Sequence, residues 1–261
     1  GKAIMSQYEQ IAAYVALEKS RAVMKSKPEI ERDLIDALGK RYAAGGTEDR
    51  TPYDHAYAEA LGALVQKYPE DDDIAAMYAE AWMNTMPWNY WSDSETPRPE
   101  IVPVIAALEK TIARSPKHPL ALHLYIHAME ASSTPGKAEK ASDTLLTLVP
   151  GSGHLVHMPA HIFYRVGRYN DSVQANIAAA KVDETYIAQC NAQGFYPALY
   201  YPHNIHHLWS SASMQGQSKL AIETARKLAD NVSLEQIDRF PTVEFFKTVP
   251  LQSLVQFGHW D

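Results

Sequence analysis

The chain has 261 residues, of which 46% are hydrophobic and 21% are charged, a composition typical of a globular protein. Its formal net charge of -7, without a dense run of Lys and Arg, argues against a nucleic-acid partner or an anionic membrane surface. A single cysteine, Cys190, excludes an internal disulfide and a thiolate-based metal site, and no apolar run is long enough for a membrane span.

Helical periodicity runs along the whole chain, and strand-like alternation is absent. Proline opens several of the predicted helices at a first-turn position, and short Gly, Pro, Asp or Ser breaks separate them. Pro159 and Pro250 fall inside two of them, so we expect those helices to kink or to start late. The predicted helices are Gln7–Lys25, Pro28–Ala44, Pro52–Lys67, Asp72–Met86, Glu100–Ala113, Pro119–Ala131, Lys137–Leu148, His154–Val166, Asn170–Lys181, Pro202–Met214, Lys219–Asp230 and Val243–Phe257.

Two segments carry a family resemblance. Tyr164–Val173, with Gly167 and Tyr169, resembles the join between the two helices of a tetratricopeptide repeat (TPR), and Gln215–Ile222 fits the same template. The resemblance implies an all-α fold, a TPR-like α-α solenoid in which helix pairs form a right-handed superhelix. It divides a single domain, residues 1–261, into divergent helices over 1–69 and about four TPR-like units over 70–261. Gly258 lies in phase with the two earlier glycines, so we expect a fragment of a longer chain that stops between two helices.

Histidines recur in phase with this repeat. Two histidines return after 34 residues, and two return after 49 residues, a spacing that we interpret as the same unit with an insertion of 15. Side chains that keep phase with a solenoid repeat stack on one another in space. The histidines in phase are His123, His127, His154, His157, His161, His203 and His206.

The segments Gly153–His161 and Tyr201–His206 also resemble a bacterial family of TPR proteins that is rich in such histidine motifs. That resemblance implies a fold and a site but no reaction. It leaves both the bacterial periplasm and the cytoplasm open as the location.

In a TPR solenoid the first helix of each pair lines the concave groove, and the resemblance places the recurring histidines there. We expect a metal cluster of His123, His127, His157 and His161, completed by Glu80 or Glu130, with His154, His203 and His206 as further ligands. Imidazole with carboxylate suits a transition metal such as Cu, Fe or Zn. The same template assigns His207 to the packing face. A metal-free histidine groove that binds an anion is the alternative.

Three further residues are candidate substrate contacts: Tyr164, Arg165 and Trp88. The leading hypothesis is a TPR-like protein with a transition-metal site in its groove, and an enzyme of this kind would be a metal-dependent oxidoreductase or hydrolase. Metal carriage without turnover is a further alternative. The runner-up is a non-catalytic scaffold that binds a peptide or a partner protein in the groove. In general, the expected groove ligand is a small molecule or a peptide.

Overall fold

A computed structural model describes residues 5–192 and 196–259. Within these ranges all regular elements are helical, apart from an isolated bridge between Trp91 and Pro97. No helix in the described part of the chain has the length and apolarity needed to cross a membrane. The chain forms two compact units, Gly1–Ser133 and Thr134–Asp261. The all-α prediction is therefore confirmed.

The first unit consists of helices, and consecutive helices from α2 onward pack on one another. Its α-helices are α1 (Gln7–Val23), α2 (Glu29–Leu38), α3 (Thr51–Lys67), α4 (Asp72–Thr85), α5 (Val102–Arg114) and α6 (Pro119–Glu130). A 3-10 turn, Met24–Ser26, follows α1. Leu61 of α3 and Ile74 of α4 lie in a common apolar core. Asp71 is the N-cap of α4, and its side chain accepts a hydrogen bond from the N–H of Ile74.

In the second unit, three longer consecutive α-helices lie between shorter ones. Its α-helices are α7 (Glu139–Leu145), α8 (Gly153–His157), α9 (Pro159–Arg165), α10 (Tyr169–Cys190), α11 (Tyr201–Met214), α12 (Ser218–Asp230), α13 (Leu234–Arg239) and α14 (Val249–Gln256). Two 3-10 segments, Pro135–Ala138 and Pro241–Thr248, and a π-helical turn, Tyr196–Tyr200, complete it. Both α8 and α9 pack on α10, α10 packs on α11, and α11 packs on α12.

The prolines act as the sequence predicts. Because proline has no N–H, α8 stops at His157 and a separate helix begins at Pro159. At the second site the chain forms a 3-10 segment up to Thr248, and α14 starts only at Val249. Both expectations, of a kink or a late start, are confirmed.

Glycines end helices at the predicted joins. Gly167 and Gly216 have φ angles of 83° and 73°, a left-handed conformation that is unfavourable for other residues. Gly167 separates α9 from α10, and Gly216 separates α11 from α12. Helix α10 runs beyond its predicted end because no breaker occurs before Asn191, whose φ of 44° terminates it.

Candidate metal centre

Four histidines of the second unit lie in mutual contact. His157 and His161 come from α8 and α9, and both His203 and His207 come from α11. All six pairs of ring centroids are between 4.4 and 5.5 Å apart. One nitrogen from each ring lies within 4.8 Å of the other three, so the four imidazoles could hold one metal ion. We call these four residues the histidine quartet.

Local sequence positions each half of the quartet. His203 and His207 are four residues apart in a continuous helix and therefore share one face of α11. His157 and His161 have the same spacing across the break at Pro159. Nε2 of His157 lies 2.9 Å from Nε2 of His161. Two nitrogens that are each about 2.1 Å from one ion are about 3.0 to 3.4 Å apart, so this pair is close to chelating geometry.

A buried amide fixes the tautomer of His157. Asn176 of α10 donates from Nδ2 to the carbonyl of Ser172 at 2.8 Å, and because a carbonyl only accepts, the nitrogen must face it. Asn176 Oδ1 is then the atom 2.6 Å from His157 Nδ1, and it accepts a hydrogen bond from the Nδ1–H of His157. Nε2 therefore carries the lone pair, on the side of the ring that faces His161. Metal-bound histidines are usually oriented by such a partner.

Burial keeps His157 neutral. His157 is fully buried and His161 is 5% exposed, whereas His203 and His207 are half-buried. Burial and then the neighbouring imidazoles of the quartet hold the pKa of His157 well below its usual range, although the hydrogen bond with Asn176 acts in the opposite direction. The neutral imidazole is the form that binds metals, so this environment favours coordination.

Two pairs of hydroxyl groups lie on the helices that carry the quartet and on α10. Ser210, three residues after His207, donates to Tyr164 Oη at 3.2 Å, and Tyr164 lies three residues after His161. Ser172 and Ser211, both fully buried, join α10 to α11 with a hydroxyl pair 2.7 Å apart. The quartet itself has four uncharged ligands, so a bound ion would keep its full positive charge.

The remaining predicted ligands are distributed between the two units. The first unit holds His123, His127, Glu80 and Glu130, all half-buried, and the rings of His123 and His127 are 4.9 Å apart. The second unit holds His154, whose ring lies 4.8 Å from Tyr200 and 6.2 Å from His157. Burial lowers the pKa of His154 to about 4.

The repeat template predicts His206 as a ligand and His207 as a packing residue. In the structure, His207 belongs to the quartet and His206 packs on aromatic side chains. The ring of His206 stacks on Trp209 at 5.2 Å and contacts Phe245 and Phe246, away from the quartet. Tyr164 of α9 and Ser210 of α11 are in contact and are 46 residues apart in the sequence. The repeat template pairs residues that are 49 apart, so it selects the wrong histidine on α11. The sequence does contain a signal for His207, since the His203–His207 spacing repeats that of His157–His161.

The candidate substrate contacts have different environments. Tyr164 is half-buried beside the quartet, and its ring also meets Tyr169 at 5.5 Å. Arg165 is exposed on the following position of α9. Trp88 belongs to the first unit, is 73% exposed and has a φ of 57°.

Known proteins provide no further assignment. Comparison with models of protein families and with characterised proteins gave no match. The functional assignment therefore depends on the geometry of the histidine quartet.

Proposed function

We propose that this chain is a TPR-like protein that binds one transition-metal ion through His157, His161, His203 and His207. The observation that carries the proposal is the mutual contact of all four imidazole rings, with one nitrogen of each converging within 4.8 Å. Consecutive helices that pack on one another, joined by left-handed Gly167 and Gly216, support the repeat architecture.

The ligand set favours copper or zinc. Four neutral imidazoles suit Cu, Zn, Fe and Ni, whereas Mg, Ca and Mn prefer oxygen ligands. Non-haem iron sites usually include a carboxylate, and the quartet has none. Copper binds most tightly among the divalent ions of this series, and zinc accepts four ligands in a tetrahedral arrangement.

The number of ligands favours metal carriage or redox chemistry over hydrolysis. A catalytic zinc keeps one position open for water, whereas four histidines fill a tetrahedral shell. The half-buried rings of His203 and His207 provide the side from which solvent, a ligand or a metal donor reaches the ion. The Tyr164–Ser210 hydroxyl pair is one helical turn from that side and would contact a molecule bound there.

The test compares two adjacent histidines on α11. His207→Gln should lower the affinity for Cu and Zn by more than about 100-fold, because it removes one of four ligands. His206→Gln is the matched control. It should leave the affinity unchanged, because the His206 ring packs on Trp209. Metal content of untagged protein by plasma mass spectrometry should give about one equivalent, and competition titration should give the affinity.

Two results would overturn the proposal. One is a wild-type protein that takes up none of Cu, Zn, Fe or Ni from buffered solutions. The other is an equal effect of the two variants with folding intact by circular dichroism, because the quartet would then not be the site. Either result would favour the alternative hypotheses, in which the groove binds a peptide or an anion.

A further inference from the structure

A polar cleft of about 370 Å³ opens in the first unit, at the beginning of α3 and the end of α4. Its lining includes Arg50, Asp54, Asn84, Glu48 and Asp49. This cleft is separate from the histidine quartet, which lies in the second unit, so its function can be tested independently.

The inner end of the cleft carries a net positive charge. Asp54 Oδ1 accepts from Arg41 Nε at 2.9 Å and from Arg50 Nη2 at 3.0 Å. All three side chains are largely buried: Arg41 is 11% exposed, Asp54 is 16% exposed and Arg50 is 9% exposed. Two guanidinium groups share one carboxylate, so the triad has a net charge of +1. This local excess of positive charge would attract the negative group of a bound ligand.

Three buried donors in the same lining have no hydrogen-bond partner in the described protein. They are Nε and Nη1 of Arg50 and Nδ2 of Asn84. Folded proteins pair almost all of their buried donors, with protein, water or ligand atoms. Because all three groups only donate, a ligand that pairs with them would have to offer acceptor atoms, as a carboxylate does.

The outer part of the cleft has the opposite charge. Glu48 and Asp49 are exposed and line the same cleft. Asp49 Oδ1 is held in place by the N–H of Thr51, 2.9 Å away. Two carboxylates at the rim would repel a simple anion such as phosphate, but they would attract an ammonium group.

We infer that this cleft binds a small zwitterion, a free amino acid or a close analogue, which carries a carboxylate and an ammonium group. The carboxylate would accept hydrogen bonds from Arg50 and Asn84, and the ammonium group would lie against Glu48 and Asp49. The cleft volume is at the lower end of the range of small-molecule sites, which fits a ligand of this size.

The test uses probes that differ in one charged group. The common amino acids are titrated into the full chain by calorimetry, and for the tightest one the deaminated acid and the decarboxylated amine follow. We expect a dissociation constant of about 1 mM or below for the zwitterion and at least about tenfold weaker binding of each single-charge analogue.

Variants locate the ligand in the cleft. Asn84→Asp replaces a donor with a carboxylate that repels the ligand carboxylate, and it should weaken binding at least about tenfold. Asn89→Asp adds the same charge at an exposed residue of the same unit that is bonded to Arg98, and it should leave binding unchanged. Circular dichroism of both variants checks that the fold is retained.

Three results would overturn the inference. The first is the absence of saturable binding of all amino acids up to about 10 mM. The second is binding of the deaminated acid or of inorganic phosphate as tight as that of the amino acid, which would define an anion site. The third is an equal affinity of the wild type and the folded Asn84→Asp variant.

Discussion

Asn176 and His161 contact opposite nitrogens of the His157 ring. Asn176 Oδ1 accepts from His157 Nδ1 at 2.6 Å, and Nε2 of the same ring meets His161 Nε2 at 2.9 Å. The amide thus determines which nitrogen is available to an ion, and its contribution can be measured by removing it.

Asn176→Leu should reduce metal affinity by about 10- to 100-fold, because His157 loses the partner that fixes its tautomer and orientation. It should also lower the free energy of unfolding by about 1–3 kcal/mol, since buried polar groups lose their partners. Chelator competition and urea unfolding measure the two effects. Asn231→Leu is the matched control, because exposed Asn231 makes the same type of bond, to the carbonyl four residues earlier. Unchanged metal affinity in a folded Asn176→Leu protein would argue against His157 as a ligand.

Gly153→Ala should destabilise the protein by about 1–3 kcal/mol, because the new methyl group would overlap the Asp183 carboxylate and lie 3.0 Å from the carbonyl of Ala179. Since Gly153 begins α8, which ends at His157, metal affinity should fall as well. Gly151→Ala is the matched control, because no atom lies within 4 Å of its added carbon. Thermal melts and metal titrations of the two variants should therefore diverge, and similar behaviour would contradict the packing described for α8.

The buried carboxylate of Asp183 predicts a pH-dependent stability. Burial raises its pKa above the ordinary value of 3.8, despite hydrogen bonds from Tyr196 and Asn204 that lower it. The folded state therefore holds the proton more tightly than the unfolded chain does. Stability from this group is present below about pH 4 and is lost as the pH rises through the folded pKa.

Asp183→Asn removes this titration. The Oδ1 atom of Asn204 is buried without a hydrogen-bond partner, and rotation of that amide would let it accept from the side-chain amide introduced at position 183. The free energy of unfolding of the variant, relative to the wild type, should therefore increase as the pH rises above about 4. Urea unfolding at several pH values measures the difference, and parallel curves would contradict the raised pKa.

Metal removal should lower the thermal midpoint of the wild type but not that of His207→Gln. A ligand that binds only the folded state adds stability by mass action, about 2.7 kcal/mol at a free concentration 100 times its dissociation constant. Scanning calorimetry with and without a chelator measures the shift. An equal shift in both proteins would place the bound metal outside the quartet.

Much of the helical structure could be predicted from sequence because its signals are local. Pro159 and Pro250 interrupt helices by chemistry that does not depend on tertiary contacts, and Gly167 and Gly216 end them for the same reason. Helix α13 is absent from the sequence-based prediction, since Leu234–Arg239 is too short to show a helical period and its only strong signal is the capping box of Ser233 with Gln236.

The composition of the quartet needed three-dimensional information. Phase with the repeat identified His157, His161 and His203, but it selected His206 instead of His207. A π-helical turn, Tyr196–Tyr200, lies immediately before α11, and no period in the sequence reports such a turn. Packing of the His206 ring on Trp209 is likewise a tertiary contact.

The break at Pro159 also affects the order in which the site can form. With five and seven residues, α8 and α9 are much shorter than the roughly 12–15 residues that an isolated helix needs to persist in water. His157 and His161 therefore come into register only when both segments have docked on α10, whereas the other pair belongs to one 14-residue helix. A nascent chain would offer at most half of the quartet, so premature capture of a metal ion during synthesis would be weak and reversible.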